Sequence, residues 1–538
     1  MNKKIVIGTR GSALALWQAR YTQNLLAQIG IESELKTIVT SGDKNQQWEN
    51  SFDKLEGKNF FTKEIEEALL KKEIDLAVHS FKDVEANFDN SDSPLIIAGL
   101  SKRHTPNDIL IIHKDKVDKQ QLLHLVQNAK VGTSSARRYA QLKSLRPDVE
   151  IFPLRGNVPT RIQKLQNRQY DGIILAQAGI DRLQIDLNDF YIFPLPLHYF
   201  VPAAGQGIIA FQIRSEDKRL LEYIQNISDE DANECGKIER KLLKQMGGGC
   251  SKPIGVLCEK RNEKWRCYIS FNDNKENLSL LSIIEHSDSE HLLQTAQRQI
   301  EKLQSLFQTP INKNIFISKS LDENNYLKKL CQRLHWKLTD ISLIQTNSVS
   351  VSSIPDCDWI FFSSKNAVKY FLNSLSDAKE LANNKHIACI GKSTAYFLES
   401  QGFSVHYYGS DTNLENIANE FSKHCKNQRV LFPCSTISNQ SIGNLIQEIA
   451  EVNYLPVYST MELNITLSES FDVLIFTSPS NVRAFFKSNN VSLQARYIAM
   501  GESTKKELLQ HNIPDSHIEV PIAFDDVAIA GALLSVVE

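Results

Sequence analysis

Short apolar runs that stop at small residues and pass at once into helical periodicity constrain this chain more than any other feature. "KKIVIGT" is followed by "SALALWQARYTQNLLAQIG", where Leu14, Trp17, Tyr21, Leu25 and Ile29 recur at helical spacing. Ser12 is placed to cap that helix and Gly30 to end it. "EIEEALLKKE" reads as a helix before the buried strand "IDLAVHS", and "AKVGTSS" as a strand before the helix "ARRYAQLKSL". "PTRIQKLQNRQY" is a further helix, followed by "DGIILAQAG" as a strand. Such alternation predicts α/β layers around largely parallel sheets.

Near residue 215 the pattern changes. "DANECGKIERKLLKQM" reads as a helix, then "KPIGVLCEK", "KWRCYISFND" and "NLSLLSIIEH" as strands, and "SEHLLQTAQRQIEKLQSLF" as a closing helix, a small α+β unit. "QTPINKN" is a short polar linker. Beyond it the α/β alternation resumes with an internal echo. "DWIFFSSKNAVKYF" returns as "DVLIFTSPSNVRAFF", and "IACIGKSTAYFL" as "IAMGESTKKELL". Two related α/β units follow from that repeat, each ending its strands in small polar residues where open α/β sheets bind ligands.

Composition limits the partners. The 538 residues carry a formal net charge of −2, so no global field favours nucleic acid or acidic lipid. Aromatic content of 8% gives no hint of base-stacking platforms. No apolar run approaches the ~20 residues that span a bilayer. Nine cysteines without a CxxC pair argue against a disulfide scaffold and a zinc ribbon, and for a reducing, cytoplasmic location. No metal site is expected.

Chemistry-bearing residues concentrate beyond the strands. Arg10 and Ser12 lie in "GTRGS"; Thr133, Ser134, Ser135, Arg137 and Arg138 in "GTSSARR"; Arg155, Gly156 and Arg161 in "LRGNVPTR"; Arg182 in "DRL". Backbone amides, hydroxyls and guanidiniums in such turns make carboxylate or phosphate pockets. Scattered solvated arginines would look the same one at a time; as a set they ask for a polyanion. Asp83, in "HSFKDV", follows a buried strand, with Lys82 beside it to keep it charged. Such a carboxylate can stabilise a developing cation and shuttle its proton, or it can simply cap a helix. Lys58 sits in "LEGKNFFTKE", a glycine-containing loop. Cys250 follows three glycines in "MGGGCSKPIG", which leaves its sulfur approachable for covalent attachment or nucleophilic attack. The other eight cysteines read as structural.

The motifs "GTRGSALALWQAR", "GKNFFTKE", "HSFKDV", "GTSSARR", "LRGNVPTR", "AQAGIDRL", "PAAGQG" and "GGGCSKPIG", in this order, resemble hydroxymethylbilane synthase, also called porphobilinogen deaminase, over about residues 3–305. The resemblance implies a covalent dipyrromethane primer on Cys250, extended by four porphobilinogen molecules with loss of ammonia and released as hydroxymethylbilane. It implies that Asp83, with Lys82, carries the catalysis. Cys250, Lys58, Asp83, Thr133, Ser134, Ser135, Arg137, Arg138 and Gly156 would hold the cofactor. Arg10, Ser12, Arg155, Arg161, Arg182 and Gln206 would hold substrate, Gln206 near the hinge of the first two domains. It further implies two periplasmic-binding-protein-like lobes, 3–98 with 199–215 and 99–198, and an α+β domain over 216–305, with the linker at 306–313.

The second half is similar to uroporphyrinogen-III synthase through the repeated strand-end elements and "LPVYS" between them. That similarity implies a two-lobed flavodoxin-like α/β half, 314–345 with 459–538 and 346–458, which closes hydroxymethylbilane with inversion of its last ring. Ser364, Thr394, Ser478 and Thr504 would grip carboxylates and Tyr458 would assist departure of the hydroxyl. Lys319 stands where an arginine is frequent. A cytoplasmic, monomeric fusion enzyme is the expectation. The alternatives are a deaminase with a non-catalytic second half, a non-catalytic two-lobed anion binder, and, disfavoured by the balanced charge, a nucleic-acid binder.

Overall fold

The computed structural model describes residues 4–40, 62–84, 93–248, 252–261, 263–272, 278–308, 311–323, 325–375, 378–409, 413–438, 440–490 and 494–537. The chain divides into two compact units, 1–309 and 310–538. Among the described residues no helix is long and apolar enough to cross a membrane.

In the first unit the strands are β1 (Ile5–Thr9), β2 (Ser33–Thr37), β3 (Leu76–Ser80) and β4 (Leu95–Leu100), then β5 (Asp108–His113), β6 (Lys130–Gly132), β7 (Glu150–Phe152), β8 (Gly172–Ala176) and β9 (Phe190–Pro194). β10 (Ile209–Arg214) follows, then β11 (Gly255–Arg261), β12 (Lys264–Phe271) and β13 (Leu280–His286). The first sheet has the order β2-β1-β3-β10-β4, the second β7-β6-β8-β5-β9, and the third β11-β12-β13. The chain therefore leaves the first sheet after β4, builds the second, and returns to the first as β10.

The expectation of largely parallel sheets needs correction here. β10 runs antiparallel to both β3 and β4, and β5 antiparallel to both β8 and β9. Both of these strands are buried along their whole length. A strand covered on both faces reads as a continuous apolar run, and such a run carries no signal of its direction. "DGIILAQAG" also splits: β8 ends at Ala176 and Gln177–Leu183 is helix.

Each sheet has its own core. Ile7, Leu26, Leu76, Phe211 and Ile224 pack the first, with helix Ala13–Gln28 across it. Ser12 caps that helix, its Oγ accepting from Ala15 N. Ile111, Leu165, Ile173 and Phe190 pack the second. A smaller cluster of Phe81, Val84, Leu100, Ile208, Ala210 and Ala232 joins the end of β3 to helix Glu230–Gln245.

In the second unit the strands are β14 (Asn314–Ile317), β15 (Lys337–Asp340), β16 (Ile344–Ser348), β17 (Trp359–Phe362), β18 (His386–Cys389), β19 (Tyr407–Tyr408), β20 (Arg429–Ser435), β21 (Glu451–Glu462), β22 (Val473–Phe476), β23 (Arg496–Ala499) and β24 (Ile518–Glu519). They form a parallel sheet β15-β14-β22-β23-β24 and a six-stranded sheet β16-β21-β20-β17-β18-β19, parallel except at β16. The internal echo is geometric as well. Ser364 and Ser478 cap the helices after β17 and β22 with nearly identical dihedrals, φ −163°, ψ 161° and φ −164°, ψ 161°. The glycine pair differs: Gly391 is extended, whereas Gly501 has φ +92°.

Candidate functional site

β3 ends at Ser80 and passes into a 3₁₀ turn, Phe81–Asp83. The turn buries Phe81, half-buries Lys82 and leaves Asp83 exposed. Asp83 thus stands at the carboxyl end of a buried strand. Burial pushes the Lys82 ammonium down, which the neighbouring Asp83 carboxylate opposes. Behind the turn, His79 is 6% exposed and pairs through Nε2 with Gln212 Oε1 at 2.8 Å. Burial pushes its pKa down to about 4, against the pull of Gln212 and Asp83, so the ring is neutral at pH 7.

Next to this turn lies a cavity of about 90 Å³ between elements of the first and second sheets. Lys82, Arg138, Arg161, Arg182 and Gln206 are all in its lining, so the structure brings five of the sequence-predicted residues together. Arg161 Nε donates to Gly156 O at 2.7 Å, where Gly156 has φ +111°. Arg182 donates to Gly207 O at 2.7 Å and lies 5.4 Å from the Trp17 ring centroid. Burial pushes both guanidiniums down to about 10, and both stay charged at neutral pH. Arg138 Nε, Arg182 Nε and Gln206 Oε1 are buried without a hydrogen-bond partner. Buried polar atoms are rarely left so, and a cationic wall of this kind suits a ligand that brings carboxylates.

The arginine set does not act as one group. Arg137 and Arg138 share the buried carboxylate of Asp108, at 2.8 and 2.7 Å. Arg137 also donates to Val201 O and Arg138 to Ile174 O. Burial alone would raise the Asp108 pKa, but the two guanidiniums outweigh it and hold the carboxyl well below the usual range. One internal carboxylate thus offsets one of these two positive charges and leaves a net positive charge at the pair, and Arg137 is absent from the cavity lining. Asp108 had its signal in the sequence, a lone carboxylate heading the apolar strand "DILIIH". Gln206 joins this group, its Nε2 donating to Asp108 Oδ1 at 3.0 Å and to Pro106 O at 2.7 Å.

The hydroxyls of "GTSS" also hold the turn itself together. Thr133 is 2% exposed and accepts from Ser135 N. Ser134 Oγ donates to Leu154 O and accepts from Leu154 N. Ser135 caps helix Ala136–Leu145. Arg10 and Arg155 are half-buried. Lys58 and Cys250 lie outside the described residues. Two of the glycines before Cys250 have a structural reason of their own. Gly247, at φ +72°, donates to Lys244 O, and Gly248 donates to Leu243 O, the paired bonds that end a helix through a left-handed residue. A Cβ on Gly248 would fall 2.4 Å from that same Leu243 carbonyl oxygen.

In the second unit Tyr458, on β21, meets Ser364 and stacks on Tyr370 with centroids 5.3 Å apart. Burial pushes the Tyr458 phenol up, so it remains a donor at neutral pH. Ser478 Oγ accepts from Asn481 N and Nδ2. Thr504 is fully buried, and its hydroxyl donates to Met500 O. Thr394 is 6% exposed. Lys319 pairs with Asp526 at 3.3 Å. The eight described cysteines are free and buried, and no group of three His, Cys, Asp or Glu among the described residues could hold a metal.

Comparison with known proteins follows this division. A family model described as "Porphobilinogen deaminase, dipyromethane cofactor binding domain" matches residues 5–222, and one described as "Uroporphyrinogen-III synthase HemD" matches residues 326–521. A porphobilinogen deaminase of Syntrophomonas wolfei is 42% identical over 283 residues, 52% of this chain and 88% of the relative. One from Helicobacter hepaticus is 41% identical over 295 residues, 54% of this chain and 84% of the relative. Among solved structures, uroporphyrinogen-III synthetase from Helicobacter pylori is 19% identical with a TM-score of 0.32, covering 41% of this chain and 99% of that one.

Proposed function

The chain belongs to the porphobilinogen deaminase family over its first unit and carries a uroporphyrinogen-III synthase unit behind it, and from that premise we propose which residues do the work. The first unit makes hydroxymethylbilane from four porphobilinogen molecules with release of ammonia. The second closes hydroxymethylbilane to uroporphyrinogen III.

The observation that carries the site assignment is the cationic cavity between the first two sheets. Lys82, Arg138, Arg161 and Arg182 hold acetate and propionate groups there, and the unpaired Arg138 Nε and Arg182 Nε in its walls fit an anionic ligand. Dipyrromethane, the family's cofactor, supplies the primer for chain growth when joined by a thioether to Cys250. Arg10, Arg155 and Lys58 hold further carboxylates, while Asp108 fixes Arg137 and Arg138 in position. Asp83 faces the positive charge that develops when ammonia leaves and accepts the proton that must move, as a carboxylate beside a cationic centre can. In the second unit Tyr458 donates a hydrogen bond to the departing hydroxyl, and the helix termini at Ser364 and Ser478 receive carboxylates.

We assign the domains to the sheets: 3–98 with 199–215 and 99–198 as periplasmic-binding-like lobes, 216–305 as the cofactor-bearing domain, and two flavodoxin-like lobes after the linker. The protein is a cytoplasmic monomer in this reading, and the free, buried cysteines fit a reducing compartment.

Intact mass tests the attachment. The purified protein should exceed its sequence mass by two linked pyrrole units, and Cys250→Ala protein should lack the increment. The same added mass on the variant would refute Cys250 as the anchor.

A further inference from the structure

Helix Glu230–Gln245 grips the turn that carries Lys82 and Asp83. Arg240, near its end, is 7% exposed. Its Nη1 donates to Val84 O at 2.6 Å, its Nη2 donates to Phe81 O, and its guanidinium carbon lies 4.3 Å from the Phe81 ring centroid. The turn closes on itself through Val84 N, which donates to Phe81 O. One planar guanidinium adds a second donor to that Phe81 O, takes up Val84 O, and stacks on the Phe81 ring. The flanking residues Phe81 and Val84 are thereby pinned in a buried cluster, and Lys82 and Asp83 are the pair displayed between the pins.

The preceding residue works in the same place. Glu239 is fully buried and accepts from Arg103 Nη2 at 2.6 Å, Gly205 N at 2.6 Å and Cys258 N at 2.7 Å. Gly205, at φ +77°, comes so near the turn that a Cβ would sit 2.6 Å from Phe81 Cδ1. One turn of this helix thus fixes the Asp83 turn, the chain returning to β10, and the first strand of the third sheet.

We propose that Arg240 is a positioning residue for the first unit's reaction, which sets Asp83 by clamping the main chain on both sides of it. The inference rests on Asp83 being the catalytic carboxylate. Lysine cannot replace the clamp, because a single ammonium point charge lacks both the fork that meets two carbonyls and the flat face that stacks.

A double-mutant cycle tests it. Wild-type, Arg240→Lys, Asp83→Asn and the double variant are compared in kcat and KM for porphobilinogen, with intact mass checking the pyrrole increment. Asp83→Asn alone should lower kcat on the order of 10²-fold. Arg240→Lys should keep the increment and lower kcat about tenfold with KM within about threefold, since it misplaces a reacting group rather than weakening binding. The double variant should fall no more than about threefold below Asp83→Asn, because the clamp acts through the lost carboxylate. Multiplying losses, or Arg240→Lys with kcat within about twofold of wild type, would overturn the proposal and leave the role of Asp83 standing. Normal turnover by Asp83→Asn would bring down both. If Arg240→Lys fails to carry the increment, Phe81→Leu, which removes the stacking face, enters the same cycle. Failure of both to carry it would mean that the contact serves folding alone, and the proposal falls.

Discussion

At the scale of single residues, Asp108 shows how a site is prepared from behind. Its carboxylate has no exposure and lies between two guanidiniums that are themselves 5% and 6% exposed. Breaking such a group by removing one partner leaves uncompensated buried charge. Asp108→Asn is therefore expected to cost about 3–5 kcal/mol, read as a lower urea midpoint for the first unfolding transition of the full chain. Replacement without a shift would mean that the arginines find other partners. His79 makes a second expectation. Its pKa is about 4 in the fold against 6.5 when free, so the unfolded chain binds the extra proton between those values. Stability contributed by the neutral ring is complete above pH 6.5 and is lost as pH falls towards 4, up to about 3 kcal/mol. His79→Gln should flatten that acid limb of a pH–stability curve. Asp83, Lys82 and the cavity arginines were legible in the sequence because each follows an apolar strand. Arg240 and Glu239 were not. They sit inside "KIERKLLK", where a run of charge reads as a solvated helix face, and only the fold reveals that this face meets the turn that carries Lys82 and Asp83.

At the scale of elements, alternating strands and helices were readable, and strand direction was not, for the reason β5 and β10 illustrate. The glycine run before Cys250 shows a related ambiguity. Its openness suggested room for a ligand, yet Gly247 and Gly248 also terminate a helix in a way other residues would obstruct. Gly248→Ala tests the structural part. The added methyl would press on Leu243 O, so we expect destabilisation of about 1–3 kcal/mol by thermal unfolding. An unchanged melting temperature would show that the helix end yields without strain. The Ser364 and Ser478 pair belongs to this scale too: the echo in the sequence is an echo in backbone dihedrals, with the hydroxyl of each accepting from the amide three residues on.

At the scale of the whole molecule, the two units should act in series on one substrate. Supplied with porphobilinogen alone, the protein is expected to yield mainly the type III macrocycle, read by separating the isomers after oxidation. Predominance of type I would show that the second unit does not close the ring with inversion. Thr504 and Thr394 are buried and their own amides donate to Gly501 O and Gly391 O, so the proposed closure relies on the helix termini at Ser364 and Ser478 instead.

The paired segments that lead from the first sheet of the first unit to the second and back are tied to one another: His104 N donates to Gly207 O, Arg103 to Gln206 O, Asn107 to Leu195 O and Gln206 to Pro106 O. A two-ply ribbon flexes out of its plane far more readily than it slides or swivels. Were the two leaves to move, these ties would favour parting about the ribbon, like the covers of a book, over sliding along it.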